Sequence, residues 1–347
     1  MKVNNTIHNI YIIPKFLHFM DFDFSSIKGK NVLITGGAGF LGANLAKRIL
    51  ELGANVTVFT RAEKSRENLK GFEDKLGFID GNLTNESDVS KAIKSKDYLF
   101  HLAWQTDLKK SMAQPIEDVK NDLAGILNIL ETCRKENPNI KIVFASAVTV
   151  IGLPKKIPSD ENEQEHPLSI YEANKLVAEK YLQVYYKIHG IKACVLRLSN
   201  VFGELQRIDN PNRGVLNFMI GRALRGEELT VYGTGSFIRD YCYVQNYIDA
   251  FILAAISEKT NGQVYVLGSG QGKTFNEVVE KIKGIVEEKT GKDVAITHIP
   301  FPEEENEINK RNFVADFSKF KEATGWFPKV SFDEGLRRTI DFYLQDK

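Results

Sequence analysis

Tyr171 and Lys175 stand in Tyr-Glu-Ala-Asn-Lys, a spacing that puts a phenol and an ammonium one turn apart on one helix face. A phenol of ordinary pKa, about 10, is a poor proton donor or acceptor at neutral pH. A cation held beside it favours the phenolate, lowers that pKa and equips the pair to move a proton at a substrate hydroxyl. The plainer reading is an amphipathic helix with its tyrosine packed inward and its lysine reaching for water. A second feature is Asn31-Val-Leu-Ile-Thr-Gly-Gly-Ala-Gly-Phe-Leu-Gly42, an apolar β-type run followed by glycines and the start of a helical pattern. Gly37, Gly39 and Gly42 fit G-x-G-x-x-G, and Gly36, Gly39 and Gly42 fit G-x-x-G-x-x-G. Either spacing brings a strand sharply into a helix whose first N–H groups can receive a pyrophosphate, where no Cβ blocks the approach. A purely structural strand-to-helix turn is the alternative.

These groups need a scaffold, and the pattern from Lys30 to about Arg197 supplies one. Strand-like runs at 32–35, 55–60, 76–80, 98–103, 141–146 and 192–198 alternate with amphipathic stretches at 40–52, 86–94, 115–135 and 169–189. Such alternation predicts βαβ units and a doubly wound parallel sheet of Rossmann type, with ligands at the carboxyl ends of its strands. After Asn200 the alternation loosens into short strands and helices, which predicts a smaller mixed α/β lobe. The expected division is an N-terminal extension over 1–29, a dinucleotide-binding domain over 30–200 and a substrate lobe over 201–347, the lobes interleaved. Residues 7–24 are apolar but interrupted by His8, Pro14, Lys15, His18, Asp21 and Asp23. That argues against a membrane span or a signal peptide. An extension packed on the domain or a neighbouring subunit is expected, with attachment to a membrane surface as the alternative.

The 347 residues suffice for a substantial core, and 43% hydrophobic with 26% charged residues is an ordinary globular balance. Lys+Arg 46 against Asp+Glu 45 leaves +1, which favours no nucleic-acid partner. Cys133, Cys194 and Cys242 form no C-x-x-C pair and no His/Cys cluster, so neither a disulfide nor a metal site is expected. They read as reduced thiols of a cytoplasmic protein.

With these motifs in order, the chain resembles the nucleotide-sugar epimerase/dehydratase group of the extended short-chain dehydrogenase/reductase family, from about Lys30 to the C-terminus. Thr35–Gly42 is similar to its TGGxGFxG loop, and Phe100-His-Leu-Ala103 to its fourth-strand motif. Asn121 with Gly125 and Leu130-Glu131 resembles the following long helix, and Val143–Gly152 the loop that carries a catalytic hydroxyl. Leu196–Gly203 resembles RxxNxYG, Val231–Tyr241 the yGdG…RDF/Y segment, and Gly325–Pro328 with Glu334–Leu336 the closing GWxP…EGL pattern. The resemblance implies a catalytic Tyr171/Lys175 pair and an NAD or NADP cofactor. That cofactor would be held by Gly36, Gly39, Phe40, Leu41 and Gly42, by Thr60 and Arg61, by Asn82 and Leu83, by Leu102 and Ala103, and by Asn121, Tyr171 and Lys175. It also implies a nucleotide-diphosphate sugar bound by Asn200, Leu216, Tyr232, Arg239 and Arg311. A homodimer through 115–135 and 169–189 follows from the same likeness.

Three departures bear on function. The family's catalytic Ser/Thr position holds Ala147, so Thr149 or Ser146 is expected to replace the hydroxyl, Thr149 slightly ahead. The acidic residue that dehydratases place just after it is absent, since Val148 and Thr149 stand there. The second strand ends in Thr60-Arg61 rather than a carboxylate, with Lys64 and Arg66 following, which favours NADP slightly over NAD. The expected activity is a sugar epimerase working by transient hydride abstraction. The alternatives are an NADPH-dependent reductase of a 4-keto nucleotide sugar and a catalytically silent cofactor or nucleotide-sugar sensor.

Overall fold

The computed structural model describes residues 22–301 and 311–345. Residues 1–21 of the expected extension and the acidic run at 303–307 lie outside the described residues. Twelve strands are described: β1 (Asn31–Thr35), β2 (Asn55–Thr60), β3 (Gly77–Asp80), β4 (Tyr98–His101), β5 (Lys141–Ala147), β6 (Lys192–Leu198), β7 (Asn200–Phe202), β8 (Leu229–Tyr232), β9 (Ile238–Tyr243), β10 (Gln263–Leu267), β11 (Gly272–Thr274) and β12 (Ile296–Ile299). Seven of them form one sheet in the order β3-β2-β1-β4-β5-β6-β10, with every neighbouring pair parallel. The order reverses between β1 and β4, and such a switch point opens a crevice at the strands' carboxyl ends.

Helices cover both faces. They are α1 (Phe40–Glu51), α2 (Glu86–Ile93), α3 (Leu108–Ala113), α4 (Pro115–Asp118), α5 (Ala124–Glu136), α6 (Ile170–His189), α7 (Val215–Arg225), α8 (Val244–Ile256), α9 (Phe275–Thr290), α10 (Ser318–Thr324) and α11 (Phe332–Gln345). Burial on both faces explains why β1 and β5 read as nearly continuous apolar runs rather than alternating ones. One core layer packs Ile34, Phe100, Val143 and Leu196 against α1 and α8. The other packs Leu33, Leu99, Ile142 and Phe144 against α2, α5 and α6.

The second lobe is built from β7-β9-β11 and β8-β12. Residues 263–267, counted with that lobe in the sequence, instead supply β10, the seventh strand of the main sheet. Residue 200 is therefore not where the sheet ends. The described tail of the extension packs down: Ile27 is fully buried, and the Phe22 ring meets Phe327 at 5.7 Å. Trp326 anchors the C-terminal segment. It is fully buried between Phe317 and Phe320, at 5.4 and 5.7 Å, and its Nε1–H donates to the Asn246 carbonyl at 2.9 Å. Trp326→Ala removes that ring and leaves a cavity, so urea unfolding should show a loss of about 3–5 kcal/mol. A loss below about 1 kcal/mol would deny Trp326 this role.

Candidate active site

The first strand delivers the glycine turn to the switch point. Gly36 has φ +71°, and a Cβ there would lie 2.8 Å from the Ala103 amide nitrogen. A Cβ on Gly42 would lie 2.3 Å from the Gly36 carbonyl oxygen, so α1 can begin against the turn only with glycine at that place. Gly39 is the N-cap of α1 and no side chain caps it. The first amides of Phe40, Leu41 and Gly42 are thus left to an outside acceptor, and the helix dipole favours an anion there. This uncapped, Cβ-free cradle fits a dinucleotide pyrophosphate. Across the crevice, the Thr35 hydroxyl bonds His101 Nδ1 at 2.8 Å and accepts from the Ala103 amide at 3.3 Å, joining the ends of β1 and β4. Burial, and secondarily Lys175, pushes the His101 pKa down to about 3, so that imidazole is neutral.

The other expected cofactor residues line the ends of neighbouring strands. Thr60 is buried at the end of β2, while Arg61 is exposed and pairs with Glu63 at 3.2 Å. Asn82 is exposed after β3, its side chain accepting from the Thr84 amide at 3.0 Å. Leu83 lies against Gly125 on the core, and the Leu102 amide donates to the Thr35 carbonyl at 3.2 Å. The Asn121 side chain is exposed and donates to the Glu117 carbonyl at 2.8 Å, whereas the next residue, Asp122, is the buried one. The cause is a π-helical turn at Val119–Leu123, which adds a residue to the turn and rotates the face presented inward.

Tyr171 and Lys175 do share a face of α6. Ser169 caps the helix by accepting from the Glu172 amide at 3.2 Å. The Lys175 ammonium is buried, donates to the Ala145 carbonyl at 2.6 Å and lies 4.1 Å from the Trp104 ring centroid and 4.5 Å from that of Phe144. It is 6.0 Å from the Tyr171 ring centroid. Burial pushes its pKa down, opposed by Asp122 and Glu179. The expected lowering of the Tyr171 pKa is absent. Burial raises it, with the charges of Glu172 and Asp122 adding in the same direction. Tyr171 is thus a protonated phenol in the protein without ligand.

The two candidate hydroxyls part company. Ser146 is buried on the α6 side of β5 and donates to Glu179 at 2.5 Å. Glu179 in turn pairs with Arg197 at 2.7 Å, and Arg197 with Glu165 at 2.8 Å. The Ser146 hydroxyl is thus engaged in a buried ionic network. Thr149 lies in the turn at Val148–Ile151, and its Oγ1 is shielded from solvent without a hydrogen-bond partner. A buried polar atom left unpaired costs about 1–3 kcal/mol, so a ligand that bonded Thr149 would recover it.

In the second lobe, Asn200 begins β7 and donates to the Asp240 carbonyl at 3.2 Å. Arg239 is half-buried on β9, and Arg311 is buried with its Nη2 on Glu172 at 3.0 Å. The Arg311 Nε is buried with no partner. Burial, then the charge of Arg311, pushes the Arg239 pKa down. Two neighbouring guanidinium groups, one with an idle donor, suit a bound anion. Tyr232 is exposed and stacks on Phe301 with ring centroids 6.0 Å apart. The Leu216 side chain is buried in the core, with its backbone at the start of α7.

Asp122, Glu172 and Trp104 went unnoticed in the sequence. Glu172 adjoins Tyr171, but its Arg311 partner is 139 residues away. Trp104 adjoins the fourth-strand motif, yet only the fold puts its ring against Lys175.

Comparison with known proteins accords with this arrangement. The family model described as GDP-mannose 4,6 dehydratase matches residues 33–339. A putative UDP-glucose 4-epimerase of Methanocaldococcus jannaschii is 30% identical over 90% of this chain and 97% of its own length. UDP-glucuronic acid decarboxylase 1 of Danio rerio is 31% identical over 91% of this chain and 73% of its own. Among solved structures, the UDP-glucose 4-epimerase of Thermus thermophilus in complex with NAD superposes with a TM-score of 0.79. It is 32% identical and covers 90% of this chain and 99% of its own. Glycine cradle, phenol–ammonium pair and full-length likeness coincide, and the chain belongs to the GDP-mannose 4,6 dehydratase family of nucleotide-sugar epimerases and dehydratases, enzymes of the extended short-chain dehydrogenase/reductase type.

Proposed function

We propose that the protein is an epimerase of a nucleotide-diphosphate sugar. The observation that carries this reading is Thr149, a shielded hydroxyl without a partner, on a loop that offers no carboxylate to eliminate water. Tyr171 moves the proton at the sugar oxygen, and the Thr149 hydroxyl hydrogen-bonds that oxygen. Arg239 and Arg311, with Asn200, bind the diphosphate, while the Tyr232–Phe301 pair offers an aromatic surface near the lobe's edge. Remote anchoring of this kind holds the reacting carbon in register with the catalytic groups. A bound nicotinamide would supply a hydride acceptor and the means to return hydride to the opposite face.

For the cofactor we propose NAD or NADP, with NADP slightly favoured. Lys64 is pushed down first by burial and then by Arg61 and Arg213, with Glu63 opposing and Lys110 adding; the surplus of cations there suits a 2′-phosphate. A cytoplasmic setting fits the three buried free cysteines, and no described helix is long and apolar enough to cross a membrane. We also propose a homodimer. Ile116 and Val119 on one helical stretch and Val184 and Ile188 on α6 are large apolar side chains left exposed, with Ile116 at 67% and Ile188 at 66%. Sedimentation at micromolar concentration should give twice the chain mass, and a monomer alone would dismiss the dimer.

An epimerase regenerates its cofactor in each cycle. Purified protein should therefore release a nicotinamide dinucleotide, identifiable by mass, and should interconvert sugar nucleotides with none added. Stoichiometric consumption of NADPH would show a reductase instead, and cofactor bound without any conversion a sensor. Tyr171→Phe should lower kcat by about 10²–10⁴-fold while cofactor affinity stays nearly constant. Thr149→Val should lower kcat as well, whereas Ser146→Ala should act chiefly on stability. An unchanged kcat in Thr149→Val would remove that hydroxyl from the reaction.

A further inference from the structure

One buried acid beside the reacting phenol has no part in the mechanism proposed above. Glu172 directly follows Tyr171 and is fully buried in the first turn of α6. Its Oε2 accepts from the Leu168 amide at 2.6 Å, and its amide donates to the Ser169 hydroxyl at 3.2 Å. These two bonds tie the side chain to the helix cap. Oε1 is left to reach the second lobe, where it accepts from Arg311 Nη2 at 3.0 Å, 139 residues along the chain. We propose that Glu172 is a positioning residue of the reaction: it fixes Arg311, and with it the diphosphate anchor of the second lobe, at a set separation from Tyr171. This rests on the epimerase reading above.

The anchor is laced together as one unit. The Ile238 amide donates to the Asn312 side chain at 2.8 Å, the Phe313 amide to the Ile238 carbonyl at 3.0 Å, and the Ala315 amide to Asp240 at 3.0 Å. The segment that starts at Arg311 is thereby joined to β9, on which Arg239 lies, so the two guanidinium groups are placed together. Glu172 takes one edge of the Arg311 guanidinium, and Nε keeps an idle donor. The group is planar with its donors in a rigid fork, so holding one edge aims the rest. A helix cap alone would need the Leu168 and Ser169 bonds, but no arginine from the other lobe. Stability is a poor account of the pair as well, because two charges withdrawn from water cost nearly what their attraction returns. What the pair supplies is a distance, and remote binding speeds a reaction only through the placement of the reacting atoms. The Glu172 charge also reaches the phenol, adding to burial in keeping Tyr171 protonated.

Glu172→Gln keeps the length of the side chain and removes its charge. In the full-length protein with its cofactor, kcat should then fall by about 10²-fold, the effect of displacing bound substrate by roughly 1 Å. Affinity for a free nucleoside diphosphate, the tightest binder among UDP, dTDP, CDP and GDP, should stay nearly constant, because both arginines keep their charge. In an Arg311→Gln background the same substitution should lower kcat no further. A cap weakened independently of Arg311 would instead lower it by the same factor in both backgrounds. Glu172→Asp keeps the charge but draws it back, and takes the place of the glutamine variant if that does not fold. The coupling is also readable without turnover. With tyrosine labelled with 13C at Cζ, and the resonance assigned through Tyr171→Phe, the nucleoside diphosphate should shift the Tyr171 signal in the wild type and leave it unmoved in Glu172→Gln. An unchanged kcat, an equal fall in both backgrounds, or a Tyr171 shift that does not depend on Glu172 overturns the proposal. Absence of turnover in the wild type overturns the epimerase reading alone, since the resonance shift needs no reaction. Failure of all four nucleotides to bind overturns both.

Discussion

An ammonium removed from water is the constraint around which this site is arranged. Lys175 must be near Tyr171 to serve chemistry, and the helix that carries both is packed on the sheet, so the charge is buried with it. Burying an ion without partners costs several kcal/mol. The compensation is assembled from four sources: the Ala145 carbonyl at the end of β5, the faces of Trp104 and Phe144, the Asp122 carboxyl, and Glu179 one turn along. None belongs to the same local segment except Glu179. Holding Lys175 therefore requires β4, β5, the π-helical turn and α6 to be in their mutual places before any ligand arrives.

The same economy of charge joins the two lobes. Glu172 follows Tyr171 in sequence, is fully buried and binds Arg311. A diphosphate held by Arg311 and Arg239 would then be coupled through Glu172 to the first turn of the catalytic helix. Asp240 does comparable work in the second lobe, where its buried carboxylate accepts from the Ser269, Gly270 and Ala315 amides and keeps the segment leading to Arg239 in register. The substrate lobe is thus positioned by buried carboxylates, each satisfied by several donors, rather than by a large apolar interface alone.

Much of this was legible beforehand. The glycine turn, the six alternating strands and the Tyr171/Lys175 spacing are local signals, and each describes a backbone or a helix face that its own segment dictates. Burial of Asp122 rather than Asn121 escaped the sequence for a local reason too. Sequence periodicity assumes 3.6 residues per turn, and one π turn within the helix hands the inward position to Asp122. Ser146 against Thr149 could not be decided along the chain, because both are small hydroxyls flanking Ala147. What separates them is Glu179 on α6, which accepts from the Ser146 hydroxyl.

By itself the sequence determined the kinds of element, their order and the crevice where a dinucleotide would lie, since hydrophobic period and glycine placement act over a few residues. It also determined the family, through motifs that follow one another from end to end. Only the tertiary structure decided the protonation states and which polar groups remain free. It placed Arg311 on Glu172, left Thr149 unpaired and buried Asp122 on the Gln105 amide. It also carried β10 back into the main sheet, far from its neighbours in sequence. The reason is physical: desolvation and charge–charge energies depend on distance in space and on exclusion of water, and neither is defined until remote segments have packed together.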